Sequence, residues 1–350
     1  MKKRSRILSV LIAFAVLPGL TQAGTAGGFH WASSPPLIVP PKGEGITYYG
    51  VKDPSVVFYD GQYHVFMTTA GSNGWGLAYI HFSDWSQAKA SPIVPLDKSP
   101  MGPGYRAAPQ VFYFAPRKLW YMVYQGGDPM YSTSTDISDP LSWSAPKPFF
   151  ESTPDVVRQP NGEAGWLDFW VICDDAKCYL FFTNDNGGFF RAETTRDAFP
   201  AGFHNTTRVM TGPRDDIFEA SNTYKVAGTK TYITLVEAIG PRGRYFRVWK
   251  SDRLDGEWRP VGNSMNVFAG AGNVRFGGKA WSQGVSHGEM IRSGFDQTLS
   301  IDPCRPLQFL YQGLDPDSRE PDYLKLPYRL GLITAHGDNP VSEMCPSKGQ

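Results

Sequence analysis

Five times along this chain the same unit returns: an apolar-rich strand, a tight turn and a second strand. Asp53 opens "DPSVVFYDGQYHVFMTT", Ala108 "APQVFYFAPRKLWYMVYQ" and Asp168 "DFWVICDDAKCYLFFTND". Glu219 opens "EASNTYKVAGTKTYITLVEA", and His287 opens "HGEMIRSGFDQTLSIDPCRPLQFLYQG". The steps run at roughly 50 to 70 residues, the range of propellers and other repeat folds. Further strands follow several units, as in "GWGLAYIHFSDWS", "PMYSTSTDISDPLSWS", "FFRAETTRD" and "YFRVWKSDRLDGEWRPV". Gly and Pro (37 and 29) punctuate short β-type runs throughout, while long helical periodicity is hard to find. The expectation is an all-β chain, a five-bladed β-propeller of four-stranded antiparallel blades. A sandwich would need no such period.

A propeller makes a claim about residues far apart in sequence. The innermost strand of each blade lines the central channel, and equivalent strand ends meet at one mouth. Asp53, Asp168 and Glu219 each open an innermost strand, so they should converge although 115 and 51 positions separate them. A lone carboxylate at a strand start is usually a turn or cap residue. Three at equivalent repeat positions ask for another reason.

Their settings differ. Asp168 sits in "GWLDFWVI", where desolvation disfavours the charged form, so it must be partnered or carry a shifted pKa. Glu219 follows Ile217 and Phe218 and suits a carboxylic acid kept protonated. Asp53 stands beside Lys52, whose charge favours an ionised carboxylate, although successive strand residues point to opposite faces. Pro54 is expected to hold Asp53 in extended geometry. Carboxyl groups with their pKa values pushed apart are what glycoside hydrolysis uses. From residue type, Glu219 is the acid and Asp53 the base.

The chain ends set the context. "MKKRSR", then "ILSVLIAFAVLPGL", then "TQA" ending at Ala23 reads as a secretory signal peptide over residues 1–23, too short for a membrane anchor. A short segment, 24–30, precedes a single catalytic domain over 31–350, a size that closed β architectures reach as one domain. A net charge of +1 provides no basic field for a nucleic acid or a membrane surface. Cys173 and Cys178 flank the hairpin tip "DDAK" and suit a local bridge, leaving Cys304 to tether Cys345 in an oxidising compartment. Zinc is disfavoured, since no second Cys/His pair lies near Cys173 and Cys178. Aromatic residues make up 14%, a content that suits sugar stacking but mostly fills β cores.

"VKDPSVVF", "RAAPQVFYF", "GWLDFWVICDDAKCYLFFTNDNG", "FEASNTYKV", "GRYFRVW", "SHGEMIR" and "LPYRLGLIT" together resemble the signature segments of glycoside hydrolase family 62, from about Trp31 to His336. The resemblance implies a secreted, inverting, exo-acting α-L-arabinofuranosidase on a five-bladed propeller, acting on arabinoxylan or arabinan. It implies Asp53 as general base, Glu219 as general acid, and Asp168 as the residue that adjusts the acid and positions substrate. Lys52 would contact the arabinose, and Tyr328 in "LPYRLGL" would be a substrate-binding tyrosine at the pocket edge. One of Arg244 and Arg247, on opposite faces of one strand, would reach substrate. His287 would hold a structural calcium in the channel, mostly through waters, although calcium prefers oxygen ligands and the two-carboxylate reaction needs no metal. The other readings are a family 43-like arabinanase or xylosidase and a non-catalytic carbohydrate-binding propeller. A closed propeller needs no partner chain, so a monomer is expected.

Overall fold

The computed structural model describes residues 27–42, 45–158, 165–262 and 265–346; the expected signal peptide lies outside them. Five sheets form the five blades. The inner strands are Tyr48–Tyr59, Ala107–Phe114, Leu167–Cys173, Glu219–Val226 and Ser286–Met290, as the hairpin repeat predicts. Helical structure among the described residues is limited to short 3-10 turns. Aromatic side chains fill the core: Phe181 stacks on Phe189 and Phe182 on Phe190, each with ring centres 5.3 Å apart.

The first three blades have four antiparallel strands, whereas the last two depart from that plan. In the fourth, Val267–Ala269 adds to Gly243–Ser251, and Ser300–Ile301 runs parallel beside the end of the inner strand. The fifth takes its next strand from the other end of the chain. Trp31–Ser33 pairs antiparallel with the end of Arg329–Ala335 and parallel with Val274–Phe276. Trp31 is fully buried there, its indole N–H donating to the Phe268 carbonyl at 2.6 Å. The ring is therefore closed by strand pairing between the two ends of the described chain.

Both expected disulfides are present, Cys173–Cys178 across the hairpin turn of the third blade and Cys304–Cys345 near the C-terminus. The second closes a separation of 41 residues, against 5 for the first. Loop-closure entropy then assigns about 4 kcal/mol to Cys304–Cys345 and about 2 kcal/mol to Cys173–Cys178. Denaturant unfolding of the two double-serine variants should show the larger loss for the Cys304/Cys345 pair.

Every inner strand is interrupted at one height. Pairing with the second strand slips between Lys52 and Ser55, Ala107 and Gln110, Leu167 and Trp170, Glu219 and Asn222, and Ser286 and Gly288. These are β-bulges, each opening on Asp53, Ala108, Asp168, Ala220 or His287. The first four adopt left-handed φ values of 46°, 51°, 57° and 53°. Each freed backbone N–H donates to an oxygen brought by a neighbouring blade: Asp53 to Gln312, Ala108 to Thr68, Asp168 to Gln125, and His287 to Glu237. Ala220 instead donates to Asp168 Oδ2 at 2.8 Å. Thr183, at the place matching Thr68 and Gln125, has a buried hydroxyl with no partner among the described residues.

This register corrects two expectations. Asp53 is neither extended nor the first residue of its strand; it lies in the middle of Tyr48–Tyr59 in left-handed geometry, which aspartate tolerates. The Gln312 acceptor and the bulge override the preference that Pro54 imposes. Glu219 is also not equivalent to Asp53 and Asp168. It precedes the bulge by one residue and matches Lys52.

Candidate active site

The bulges explain how charged neighbours share one site. In a regular strand, adjacent side chains face opposite ways. Here the alternation is broken, so Lys52 and Asp53 both line the cavity at the channel mouth, as do Leu167 and Asp168. Glu219 and His287 join them. The cavity measures about 210 Å³, below the range for drug-sized ligands and suited to one small ring rather than a chain.

Lys52 is 5% exposed, and its Nζ lies 3.9 Å from Asp53 Oδ1. It donates to the Tyr323 hydroxyl at 2.8 Å. Three rings surround the ammonium, with centres at 4.9 Å (Trp75), 4.5 Å (Tyr323) and 5.2 Å (Tyr328). Burial opposes its charge, but Asp53 and Tyr323 more than offset this and leave its pKa raised. Tyr328 is buried, and Tyr323 is the one that lines the cavity. Gln125 accepts from the Asp168 N–H and donates to Tyr105, an exposed tyrosine that also lines the cavity.

Asp168 is 8% exposed. Burial first, then the Glu219 and Asp53 charges, pushes its carboxyl well above the usual range, against the pull of the Ala220 N–H. The sequence setting asks for a partner or a shifted pKa, and Asp168 has both.

Glu219 Oε1 accepts from Arg244 Nη1 at 2.7 Å, and the same nitrogen donates to Glu237 Oε1 at 2.8 Å. Arg244 lies against the face of Phe218, 4.2 Å from the ring centre. Of the two arginines left open by the sequence, it is the one that meets a site carboxylate. Arg247 instead pairs with Asp216 and Asn266. Burial pushes Glu237 up to about 7, opposed by Arg244 and assisted by the Glu219 charge.

Sequence reasoning missed Glu237, Trp75, Tyr105 and Tyr323. For Glu237 a signal existed, a single charge inside the apolar strand "YITLVEAIG". Trp75 lies at the start of the strand Gly74–Phe82, Tyr323 opens a short 3-10 turn and Tyr105 sits in a loop, none of them in a marked pattern.

His287 turns Nδ1 towards Asp53 Oδ1 at 3.3 Å and Asp168 Oδ2 at 3.8 Å. Among the described residues no three His, Cys, Asp or Glu side chains group as a metal-ligand set. One imidazole nitrogen already facing a carboxylate does not fit a directly ligated calcium.

A propeller whose mouth gathers two buried carboxyls and a half-buried one around a sugar-sized cavity is the framework of a glycoside hydrolase. Comparison with known proteins fixes the family. The sequence profile of glycosyl hydrolase family 62 matches residues 30–334, and the chain belongs to that family. It is 40% identical over 310 residues to α-L-arabinofuranosidase C of Cellvibrio japonicus, spanning 87% of this chain but about half (46%) of that relative. The catalytic domain of the Coprinopsis cinerea family 62 α-L-arabinofuranosidase superposes with a TM-score of 0.85 at 47% identity, covering 91% of this chain and 99% of the other. The Podospora anserina α-L-arabinofuranosidase, solved in complex with cellotriose, gives 0.84 at 44%, covering 89% and 98%. A thermostable family 43 hydrolase, at 14% identity and 0.54, shares the fold.

Proposed function

We propose that this protein is a secreted, inverting, exo-acting α-L-arabinofuranosidase that removes arabinofuranose side chains from arabinoxylan, and that it works as a monomer. The observation that carries the reading is the meeting of Asp53, Asp168 and Glu219 in one small cavity beside the buried Lys52. A cavity for one ring favours removal of a terminal sugar over cleavage inside a chain. Arabinan is the second polymer with such branches. The Cellvibrio japonicus and Coprinopsis cinerea relatives are named α-L-arabinofuranosidases, and the two disulfides suit an extracellular enzyme.

In this reading Glu219 gives its proton to the leaving oxygen, and Asp53 takes one from the water that attacks the anomeric carbon. Inversion asks for roughly 6.5–9.5 Å between those carboxyls. Asp168 tunes Glu219, while Lys52 holds the arabinose with Tyr328 behind it. Incubation with arabinoxylan should release free arabinose, with the inverted anomer first in proton NMR. Xylose or oligosaccharides as products, or affinity without turnover, would overturn the reading.

The channel calcium implied by the resemblance would have to be held mostly by water near His287. Because the two-carboxylate reaction needs no metal, dialysis against EDTA should leave the hydrolysis rate within about 2-fold.

Asp168→Asn carries a signed expectation. A carboxyl whose folded pKa lies above its ordinary 3.8 contributes stability that is present below that value and lost as pH rises. Asparagine removes this loss and can still accept from the Ala220 N–H. The variant should gain roughly 1 kcal/mol at pH 7, an advantage that fades towards acid, while activity falls about 10²-fold. Denaturant unfolding at both pH values checks the first part.

A further inference from the structure

The Arg244 side chain is hydrogen-bonded through one nitrogen. Its Nη1 donates to Glu219 Oε1 at 2.7 Å and to Glu237 Oε1 at 2.8 Å, while Nε and Nη2 find no acceptor among the described residues. A planar group tied at one corner can swing about it. The second constraint is a ring: the Arg244 guanidinium carbon lies 4.2 Å from the centre of Phe218, over its face.

Phe218 is itself held. It is buried, and its N–H donates to the Glu237 carbonyl at 2.9 Å. A second guanidinium, that of Arg214, lies 4.6 Å from the same ring centre. Arg214 Nε donates to the Asp185 carbonyl at 3.1 Å, and Nη2 to Asp185 Oδ1 at 3.3 Å. Asp185 belongs to the turn that joins Lys177–Thr183 to Gly188–Thr195. That turn is tied to the loop before Glu219, with the Gly187 N–H donating to the Ile217 carbonyl at 3.1 Å and the Gly212 N–H to the Gly187 carbonyl at 3.0 Å. A Cβ on Gly187 would overlap the Gly212 carbonyl oxygen, so the two segments close on glycine. One ring can carry two like charges here because each guanidinium also meets carboxyl oxygens, of Asp185 and Asp215 for Arg214 and of Glu219 and Glu237 for Arg244.

We propose that Phe218 is a positioning residue for proton transfer: its ring, steadied by Arg214, fixes the plane of Arg244 and through it the carboxyl of Glu219. This rests on Glu219 being the general acid. In the step itself the proton passes from that carboxyl to the glycosidic oxygen. The anomeric C–O bond breaks, its electron pair leaves with that oxygen, and water attacking the carbon loses its proton to Asp53. An acid must stand within hydrogen-bond reach of the oxygen it protonates. Arg244 makes the one side-chain hydrogen bond that Glu219 has among the described residues. Asp53 and Lys52 are held by other groups, Gln312, His287 and Tyr323, so a loosened Arg244 should spare the base and the sugar pocket.

The test compares an arabinosylated xylo-oligosaccharide, whose sugar leaving group needs the acid, with 2,4-dinitrophenyl α-L-arabinofuranoside, whose leaving group does not. Phe218→Leu keeps an apolar side chain but removes the flat face. It should lower kcat on the oligosaccharide about 30-fold and on the aryl substrate less than about 3-fold, with both KM values within about 2-fold of wild type. Phe218→Tyr, which keeps the face, should hold the ratio of the two kcat values within about 2-fold of wild type. Arg214→Ala acts from the half-exposed end of the stack and should lower that ratio about 5-fold; it decides the matter if neither Phe218 variant folds. Equal losses on both substrates in Phe218→Leu, a ratio as low in the Tyr variant as in the Leu variant, or an unchanged ratio in Arg214→Ala would overturn the proposal. Glu219→Gln on the same substrates separates the premises. If it leaves the ratio unchanged, the acid assignment fails; if it lowers the ratio while Phe218→Leu does not, only the role of Phe218 fails.

Discussion

Glu219→Gln is expected to slow arabinose release from arabinoxylan about 10³-fold, yet keep a dinitrophenyl arabinofuranoside within about 10-fold of the wild-type rate. A xylose hydroxyl is a poor leaving group, and breaking its bond to the anomeric carbon leaves an alkoxide unless a proton arrives in the same step. Dinitrophenolate is stable without that proton. Glutamine preserves the shape of the side chain, and its carbonyl can still accept from Arg244 Nη1, which donates to Glu219 Oε1 at 2.7 Å. Arg244 also keeps its pairing with Glu237, so the variant should fold. Unchanged thermal unfolding, together with near-normal turnover of the aryl substrate, would show that the pocket is intact. Similar losses on both substrates would instead mean that Glu219 binds or shapes the site and is not its acid.

The large features of this site are legible in the sequence because they follow from a repeat. Inner strands spaced by one blade must bring their equivalent ends to one channel, whatever their separation along the chain. That places Asp53, Asp168, Glu219 and His287 together before any coordinates are known. What the repeat cannot carry is register within the strand. A bulge adds one residue without changing the apolar pattern around it, and a one-residue slip changes which side chains share a face. Hence Lys52 and Asp53 read as opposite-facing when both line the cavity, and Glu219 reads as equivalent to Asp53 when it matches Lys52. Closure of the fifth blade by Trp31–Ser33 is hidden for a different reason. Three residues carry too little pattern to announce a strand, and their partners lie at the far end of the chain. Glu237 sits between these cases. A charge inside an apolar strand predicts a buried partner, but only the fold shows that the partner is shared with Glu219.

Asp53→Asn should behave unlike Glu219→Gln, and the contrast separates base from acid. Asp53 is proposed to act on the attacking water, a partner common to every substrate. The loss of about 10³-fold in kcat should therefore extend to the dinitrophenyl arabinofuranoside. Asparagine is the informative replacement because of the backbone. At φ 46° asparagine sits in left-handed geometry at least as readily as aspartate, whereas alanine would add backbone strain to the loss of the carboxylate. The Asp53 N–H would still donate to Gln312, and Oδ1 could still face His287. Lys52 keeps its hydrogen bond to Tyr323 and its three surrounding rings, so KM should change little while kcat falls. Should the loss be confined to the oligosaccharide, with the aryl substrate spared, the roles of Asp53 and Glu219 would have to be exchanged. A uniform loss with a folded protein would leave Asp53 as the group that takes the proton from water.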